Sequence, residues 1–208
     1  MHPDAALAAA MAICPLVAIL RGVRPDEVVA IADVLVDEGF AMIEVPLNSP
    51  DPLTSIATIA RRYAATVVVG AGTVLTVEQV GQVTATGARL IVSPNTNPSV
   101  ITAAAATGLV SLPGYFTITE AFTALAAGAS GLKLFPAEAA TPAVLKAHRA
   151  VLPKDLPVMA VGGITPDKMV PWQEAGAQGF GLGSALYAAR ATPEEVRAAA
   201  RRFMKALG

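Results

Sequence analysis

The sequence predicts a (β/α)8 barrel, and three observations lead to this fold class. Short apolar runs recur along the chain, Ala-rich segments of helical character lie between them, and eight strand–helix repeats can be counted. Because the runs are continuously apolar, they are typical of parallel strands buried on both faces. The repeat number favours a closed barrel over an open doubly wound sheet, the alternative, and no G-x-G-x-x-G follows the first strand.

The predicted strands share this apolar character and cover residues 16–20, 42–46, 67–71, 90–93, 109–112, 132–135, 158–161 and 179–182. Helix starts follow from capping patterns at Pro25-Asp26-Glu27, Thr76, Thr117, Thr165-Pro166-Asp167 and Thr192. Helix ends follow from Gly39, Gly87, Gly108, Gly128 and Gly176. Residues 4–12 predict an extra N-terminal helix. Since no linker or low-complexity tract interrupts the repeats, residues 1–208 are predicted to form a single barrel domain.

The composition of the chain limits the classes of binding partner that can be expected. The chain has 208 residues, 15 Lys and Arg against 16 Asp and Glu, and a net charge of −1. This balance gives no support to a nucleic-acid or anionic-membrane partner. The longest apolar stretch, residues 5–20, is too short to span a bilayer and contains Pro15. The single Cys14 fits a reducing cytoplasm, and the isolated His2 and His148 predict no metal cluster.

One lysine stands apart from the others. Lys146, Lys154, Lys168 and Lys205 lie in helical or loop segments and are interpreted as solvated surface residues, whereas Lys133 interrupts the apolar sixth strand. Desolvation lowers the pKa of a buried amine, and a neutral amine attacks ketones to form a Schiff base. The alternative is a lysine that reaches the barrel rim or pairs with a carboxylate.

Glu44 interrupts the second strand in the same way. Strands two and six lie on opposite walls of an eight-stranded barrel, so Glu44 and Lys133 are expected to face each other across its mouth, where the active sites of such barrels lie. A carboxylate at this position can act as a general base. A structural ion pair between the two residues is the alternative.

The last two strands end in glycine turns that predict a phosphate site. Gly162 and Gly163 follow strand seven, and Gly183 and Ser184 follow strand eight. The loops after these strands often bind phosphate in (β/α)8 barrels through backbone N–H groups and a helix N-terminus. Arg21, at the end of strand one, is a candidate clamp for a second acidic group. The alternatives are that the glycines serve only to form tight turns and that Arg21 forms a salt bridge at the rim.

These segments resemble a known family, the 2-keto-3-deoxy-6-phosphogluconate and 6-phosphogalactonate aldolases. The resemblance covers nearly the whole chain and rests on Ala-Ile-Leu-Arg-Gly (18–22), Ile-Glu-Val-Pro-Leu-Asn-Ser-Pro (43–50), Val-Gly-Ala-Gly-Thr-Val-Leu (69–75), Ile-Val-Ser-Pro-Asn (91–95), Leu-Pro-Gly (112–114), Leu-Lys-Leu-Phe-Pro-Ala-Glu (132–138) and Ala-Val-Gly-Gly-Ile-Thr-Pro (160–166). The segment Pro-Leu-Asn-Ser after Glu44, and Arg21, are similar to the phosphogalactonate branch.

The resemblance implies a class I aldolase that cleaves a phosphorylated 2-keto-3-deoxy acid to pyruvate and D-glyceraldehyde 3-phosphate. Lys133 is then the Schiff-base residue and Glu44 the proton carrier. Arg21 and Thr73 would hold the carboxylate end of the substrate. The other implied substrate-binding residues are Pro94, Gly162, Gly163, Gly183 and Ser184. The family also implies a homotrimer and no metal or organic cofactor.

Two departures from the family pattern bear on the substrate. Ala185 follows Gly183-Ser184 where the phosphogalactonate branch often has Asp, and Tyr115-Phe116 follow strand five in place of small residues. The aromatic pair is expected to line the pocket or to cover a neighbouring subunit. The sequence therefore leaves the C4 epimer of the substrate open.

Two other functions stay open. One is a different phosphosugar-binding barrel enzyme, an isomerase, epimerase or decarboxylase that uses Glu44 for acid–base chemistry. The other is a catalytically silent binding or assembly protein.

Overall fold

The computed structural model describes residues 3–208, so His2 lies outside the described residues. The strands are β1 Leu16–Ile19, β2 Met42–Pro46, β3 Val68–Gly72, β4 Leu90–Val92, β5 Val110–Leu112, β6 Gly114–Tyr115, β7 Leu132–Leu134, β8 Val158–Val161 and β9 Gly179–Leu182. The α-helices are α1 Pro3–Ile13, α2 Val28–Asp37, α3 Pro52–Arg62, α4 Val77–Ala85, α5 Pro98–Ala106, α6 Ile118–Ala126, α7 Pro142–Arg149, α8 Met169–Glu174 and α9 Pro193–Leu207. Two 3-10 turns cover Ala137–Ala139 and Pro166–Lys168.

All strand pairs are parallel, in the order β5-β4-β3-β2-β1-β9-β8-β7-β6. β5 corresponds to the predicted fifth strand, residues 109–112, and β6 continues the same wall of the barrel beyond Pro113, whose nitrogen carries no proton for the ladder. The ring is closed across the break between β5 and β6, because the N–H of Lys133 donates to the carbonyl of Pro113 and the N–H of Ser130 to that of Ser111. The predicted barrel is confirmed, and the open-sheet alternative is wrong.

Successive strand residues alternate between two apolar layers. The inner layer fills the barrel with Val17, Ile19, Met42, Val68, Leu90, Val92, Val110, Leu112, Met159 and Val161. The outer layer joins the other strand side chains to the surrounding helices. Because side chains alternate along a strand, Lys133 points inward between the outward Leu132 and Leu134, and Glu44 points inward between Ile43 and Val45.

The predicted N-terminal helix is present as α1 and closes one end of the barrel. Ala6, Leu7 and Ala10 are buried against the inner layer. Helix α1 contacts β3 and β5. Since α1 seals the N-terminal ends of the strands, the barrel interior opens at the C-terminal ends.

Most of the predicted helix signals hold. Thr76, Thr117 and Thr192 form capping boxes with Gln79, Glu120 and Glu195 at the starts of α4, α6 and α9. The five glycines predicted to end helices all have positive φ. Two starts differ. Helix α2 begins at Val28, three residues after Pro25, and the seventh repeat opens with the 3-10 turn Pro166–Lys168 before α8.

The prediction that Tyr115 lines the pocket or covers a subunit is wrong. Tyr115 faces outward on β6 and is 2% exposed, with its ring 5.7 Å from that of His148 on α7. His148 is partly buried. Its pKa is lowered because burial disfavours the imidazolium. Phe116 is 39% exposed. Within residues 3–208, no helix combines the length and apolarity needed to cross a bilayer.

The packing of α1 at the closed end of the barrel leads to a prediction about stability. Leu7→Ala should lower the free energy of unfolding by about 2–5 kcal/mol, because it leaves a cavity at the closed end of the barrel. Ile13→Ala on the same helix is the control, since Ile13 is 67% exposed and should change stability by less than about 0.5 kcal/mol. Urea denaturation measures both. Equal losses in the two variants would contradict the assigned packing of α1.

Candidate active site

Lys133 is a buried amine at the inner end of an open cleft. Its side chain is 7% exposed and is surrounded by inner-layer residues such as Val161 and Leu112. Its Nζ atom lies 4.6 Å from the centre of the Phe135 ring. Burial lowers the pKa of Lys133, and Arg21 lowers it further, while Glu44 acts in the opposite direction. A larger fraction of this amine is therefore neutral and nucleophilic than of a solvated lysine.

Glu44 is 2% exposed, and its Oε2 atom has no hydrogen-bond partner. Burial raises its pKa to about 7, although Lys133 and Arg21 favour the charged form. A carboxyl group with this pKa can both accept and release a proton near neutral pH. Gly72 makes room for it, because a Cβ atom at Gly72 would overlap the Glu44 carboxylate.

The two groups line the same apolar space on opposite walls of the barrel. The charge of each group shifts the pKa of the other. The Lys133 amine contacts the ring of Phe135, however, and forms no ion pair with Glu44. The structural ion pair considered as an alternative is therefore absent. The amine and the carboxyl group are therefore not neutralised by direct contact with each other.

The interior opens into a cleft of about 850 Å³ at the C-terminal ends of the strands. Six of the predicted site residues line it together: Arg21, Lys133, Gly162, Gly163, Gly183 and Ser184. Arg21 does not form the rim salt bridge given as its alternative. Its Nη1 donates to Oδ1 of Asn48 at 2.7 Å, which fixes the guanidinium near the mouth.

The two glycine turns contribute unused donors to this cleft. Gly162 and Gly163 have φ values of 112° and 63°, a region that favours glycine. In the described part of the chain, the backbone N–H groups of Gly163, Ile164, Ser184 and Ala185 donate to no protein acceptor. The second turn is a single helical turn closed by N–H bonds to the Gly183 carbonyl, and α9 begins only at Pro193. The predicted helix N-terminus is thus replaced by this one turn.

Thr73 and Pro94 are placed at the same end of the barrel but outside the residues that line the cleft. Thr73 directly follows β3 and has a φ of 57°. This conformation is strained by roughly 1–3 kcal/mol in a residue with a side chain, and such strain is concentrated at functional sites. Pro94 follows β4, and its carbonyl lies against Gly114.

Sequence reasoning gave no role in the site to Phe135, Glu138 or Lys168. Phe135 contacts the Lys133 amine, and Glu138 and Lys168 line the cleft, although Lys168 is exposed as predicted. Asn48, noted with the Pro-Leu-Asn-Ser segment, holds Arg21. Phe135 could have been found from the strand alternation, since it lies two residues after Lys133. The contacts of Asn48 and Lys168 depend on loop conformation, which the sequence pattern does not encode.

Residues 3–208 contain no group of three or more His, Cys, Asp and Glu side chains arranged to hold a metal ion. The charged groups that line the cleft itself are Arg21, Lys133, Glu138 and Lys168. This donor set suits an anionic organic ligand.

Comparison with known proteins places this chain in a family. The family described as KDPG and KHG aldolase matches residues 7–200. The chain belongs to this aldolase family. Aldolases are carbon–carbon lyases, so the expected enzyme class is confirmed, and the catalytically silent alternative has no support.

Two relatives that align over most of the chain carry the name of the phosphogalactonate enzyme. The chain is 48% identical to the 2-dehydro-3-deoxy-6-phosphogalactonate aldolase of Escherichia coli (strain K12), over 92% of this chain and 94% of that protein. It is 49% identical to a probable enzyme of the same name from Rhizobium meliloti (strain 1021), over 88% of this chain and 86% of that protein. A solved native KDPGal structure superposes with a TM-score of 0.92 at 48% identity, covering 93% of this chain and 94% of that one.

The fit of Glu44 against Gly72 generates a prediction for this aldolase. Gly72→Ala should reduce turnover at least tenfold, because the added methyl group displaces the carboxylate. Gly81→Ala is the matched control, since a Cβ at Gly81 in α4 meets nothing within 4 Å. It should leave activity unchanged and raise the free energy of unfolding by about 0.5–1 kcal/mol. A fully active Gly72→Ala variant would remove Glu44 from the site.

The raised pKa of Glu44 generates a pH prediction. The unfolded carboxyl titrates near 4.5 and the folded one near 7, so the native state binds more protons between these values and loses stability as pH rises through them. Glu44→Gln removes this loss. Its free energy of unfolding relative to the parent should therefore be greater at about pH 8 than at about pH 5, by on the order of 2 kcal/mol. Urea denaturation at both pH values tests this, and a constant difference would contradict the assigned burial.

Proposed function

We propose that this aldolase works through a Schiff base on Lys133 and cleaves 2-dehydro-3-deoxy-6-phosphogalactonate to pyruvate and D-glyceraldehyde 3-phosphate. The observation that carries the proposal is the buried Lys133 amine, which faces an unpaired Glu44 carboxyl group and opens into the cleft. The 48% identity to the aldolase of this name from Escherichia coli supports the substrate.

Covalent chemistry begins at Lys133. The neutral Nζ attacks the C2 carbonyl carbon of the substrate and forms a carbinolamine, which loses water to give an iminium ion. The iminium accepts electrons at C2, so neither a metal ion nor an organic cofactor is required. The lowered pKa of Lys133 increases the fraction of neutral amine available for the attack.

Glu44 carries the proton. Its carboxylate accepts the proton of the C4 hydroxyl group, directly or through a water molecule. The C3–C4 bond then breaks, its electron pair moves into the iminium to form an enamine, and D-glyceraldehyde 3-phosphate leaves. Protonation of the enamine at C3 and hydrolysis of the resulting iminium release pyruvate and the free lysine.

Substrate binding uses the two ends of the cleft. Arg21, held by Asn48, binds the carboxylate end of the substrate. Thr73 and Pro94, which follow β3 and β4 outside the cleft lining, complete this subsite when the substrate is bound. Gly162, Gly163, Gly183 and Ser184 bind the phosphate through unused backbone N–H groups in their turns and the Ser184 hydroxyl group. Anion binding at both ends places the C2–C4 segment of the substrate beside Lys133.

The proposal also covers the location, oligomeric state and partners of the enzyme. Residues 1–208 act as a single barrel domain in the cytoplasm, and the protein is a homotrimer. Exposed apolar side chains on the rim and outer helices, Leu75, Val77, Phe116 and Phe122, are consistent with an oligomer. Neither nucleic acid nor membrane is a partner.

The Schiff base is tested by trapping. Incubation with pyruvate and borohydride should add one reduced pyruvyl group to the protein, and peptide mapping should place it on Lys133. Lys133→Met should lose both trapping and cleavage, whereas Lys146→Met, a substitution on the exposed face of α7, should retain both. Normal turnover of a phosphosugar by Lys133→Met would instead favour an isomerase, epimerase or decarboxylase that uses Glu44.

The choice of substrate is tested with the two C4 epimers. Pyruvate release from 2-dehydro-3-deoxy-6-phosphogalactonate should exceed that from the phosphogluconate epimer in kcat/KM by at least about tenfold, a difference of 1.4 kcal/mol in transition-state binding. Ala185→Asp, which introduces the residue common in the phosphogalactonate branch, shows whether this position contributes. A preference for the phosphogluconate epimer would overturn the assigned substrate.

A further inference from the structure

A third cation lies in the cleft, away from Lys133 and Arg21. Lys168 ends the 3-10 turn Pro166–Lys168, which directly follows the glycine turn after β8. Its side chain lines the cleft, and its Nζ atom donates to the carbonyl oxygen of Gly163 at 3.2 Å. The ammonium group is therefore held beside the turn whose backbone N–H groups are unused.

A negative charge also lies beside this glycine turn, and it disfavours the binding of an anion there. Glu138 lines the cleft, and its Oε2 atom lies 2.7 Å from the position that a Cβ atom of Gly163 would occupy. A phosphate dianion bound at Gly163 would be repelled by this carboxylate. A positive charge at the same turn is needed to offset that repulsion, and Lys168 supplies it.

The bond to Gly163 leaves most of the hydrogen-bonding capacity of Lys168 unused. An ammonium group has three N–H donors, and the described contacts of Lys168 account for one of them. The side chain is exposed, so it can reorient toward a ligand without breaking a buried contact.

We propose that Lys168 is a phosphate-binding residue that gives this enzyme its preference for phosphorylated over unphosphorylated substrates. The ammonium group offsets the charge of Glu138 and donates hydrogen bonds to the phosphate seated on the glycine turns. This inference rests on the proposed function, because it assigns a further contact in the same site.

The test compares Lys168→Met with Lys168→Arg, and uses Lys146→Met on α7 as the control. For the phosphorylated acid, Lys168→Met should lower kcat/KM about five- to tenfold, mainly through KM, as expected for the loss of one charge-assisted hydrogen bond. For the unphosphorylated acid, kcat/KM should not change. Lys168→Arg should retain most of the preference, and the effect of Lys168→Met should shrink at high salt. Equal losses for both acids, or no loss at low salt, would overturn the proposal.

A second measurement is independent of turnover. Titration with inorganic phosphate, followed by 31P NMR line broadening, should show weaker binding to Lys168→Met than to the parent and to Lys146→Met. Unchanged phosphate binding in Lys168→Met would overturn the role of Lys168. Trapping of pyruvate on Lys133 requires no phosphate. If the parent protein traps pyruvate and Lys168→Met binds phosphate normally, the role of Lys168 is overturned while the proposed Schiff-base function stands.

Discussion

The proposed chemistry of this protein depends on the desolvation of one amine. Lys133 lies in a barrel interior of aliphatic side chains, where water cannot stabilise an ammonium ion. The facing Glu44 is buried in the same space and is itself driven toward its neutral form. A direct ion pair would have stabilised both charges. Because the two groups remain apart, each is available to a substrate placed between them.

The remainder of the fold maintains this arrangement. Strand alternation directs Lys133 and Glu44 inward, and Gly72 leaves the volume that the carboxylate fills. Helix α1 closes the opposite end of the barrel, so ligands approach the amine from the cleft. The groups that we propose to bind anions lie along that approach, with Arg21 at one strand end and the glycine turns at two others. Family membership and this geometry together support the roles proposed for Lys133 and Glu44.

The sequence predicted the elements that follow from periodicity, and it failed where packing between elements decides the outcome. Lys133 and Glu44 could be chosen because a charge inside an apolar strand is conspicuous and its facing direction follows from alternation. The predicted fifth strand stopped at Leu112, whereas the chain continues beyond Pro113 as β6, where Tyr115 faces outward against His148 and away from the pocket. Lys168 resembled a surface residue because it lies in a polar turn, and only the path of the chain after Gly163 brings it into the cleft.

The pH dependence of imine formation tests the central claim most directly. The rate at which Lys133 is trapped by pyruvate should be measured from mildly acidic to strongly basic pH, with Lys133→Met as the blank. The account predicts a rise centred well below 10.5, the value of an unperturbed lysine. A rise centred at 10.5 would mean that the amine is solvated and charged under working conditions, and it would contradict the account.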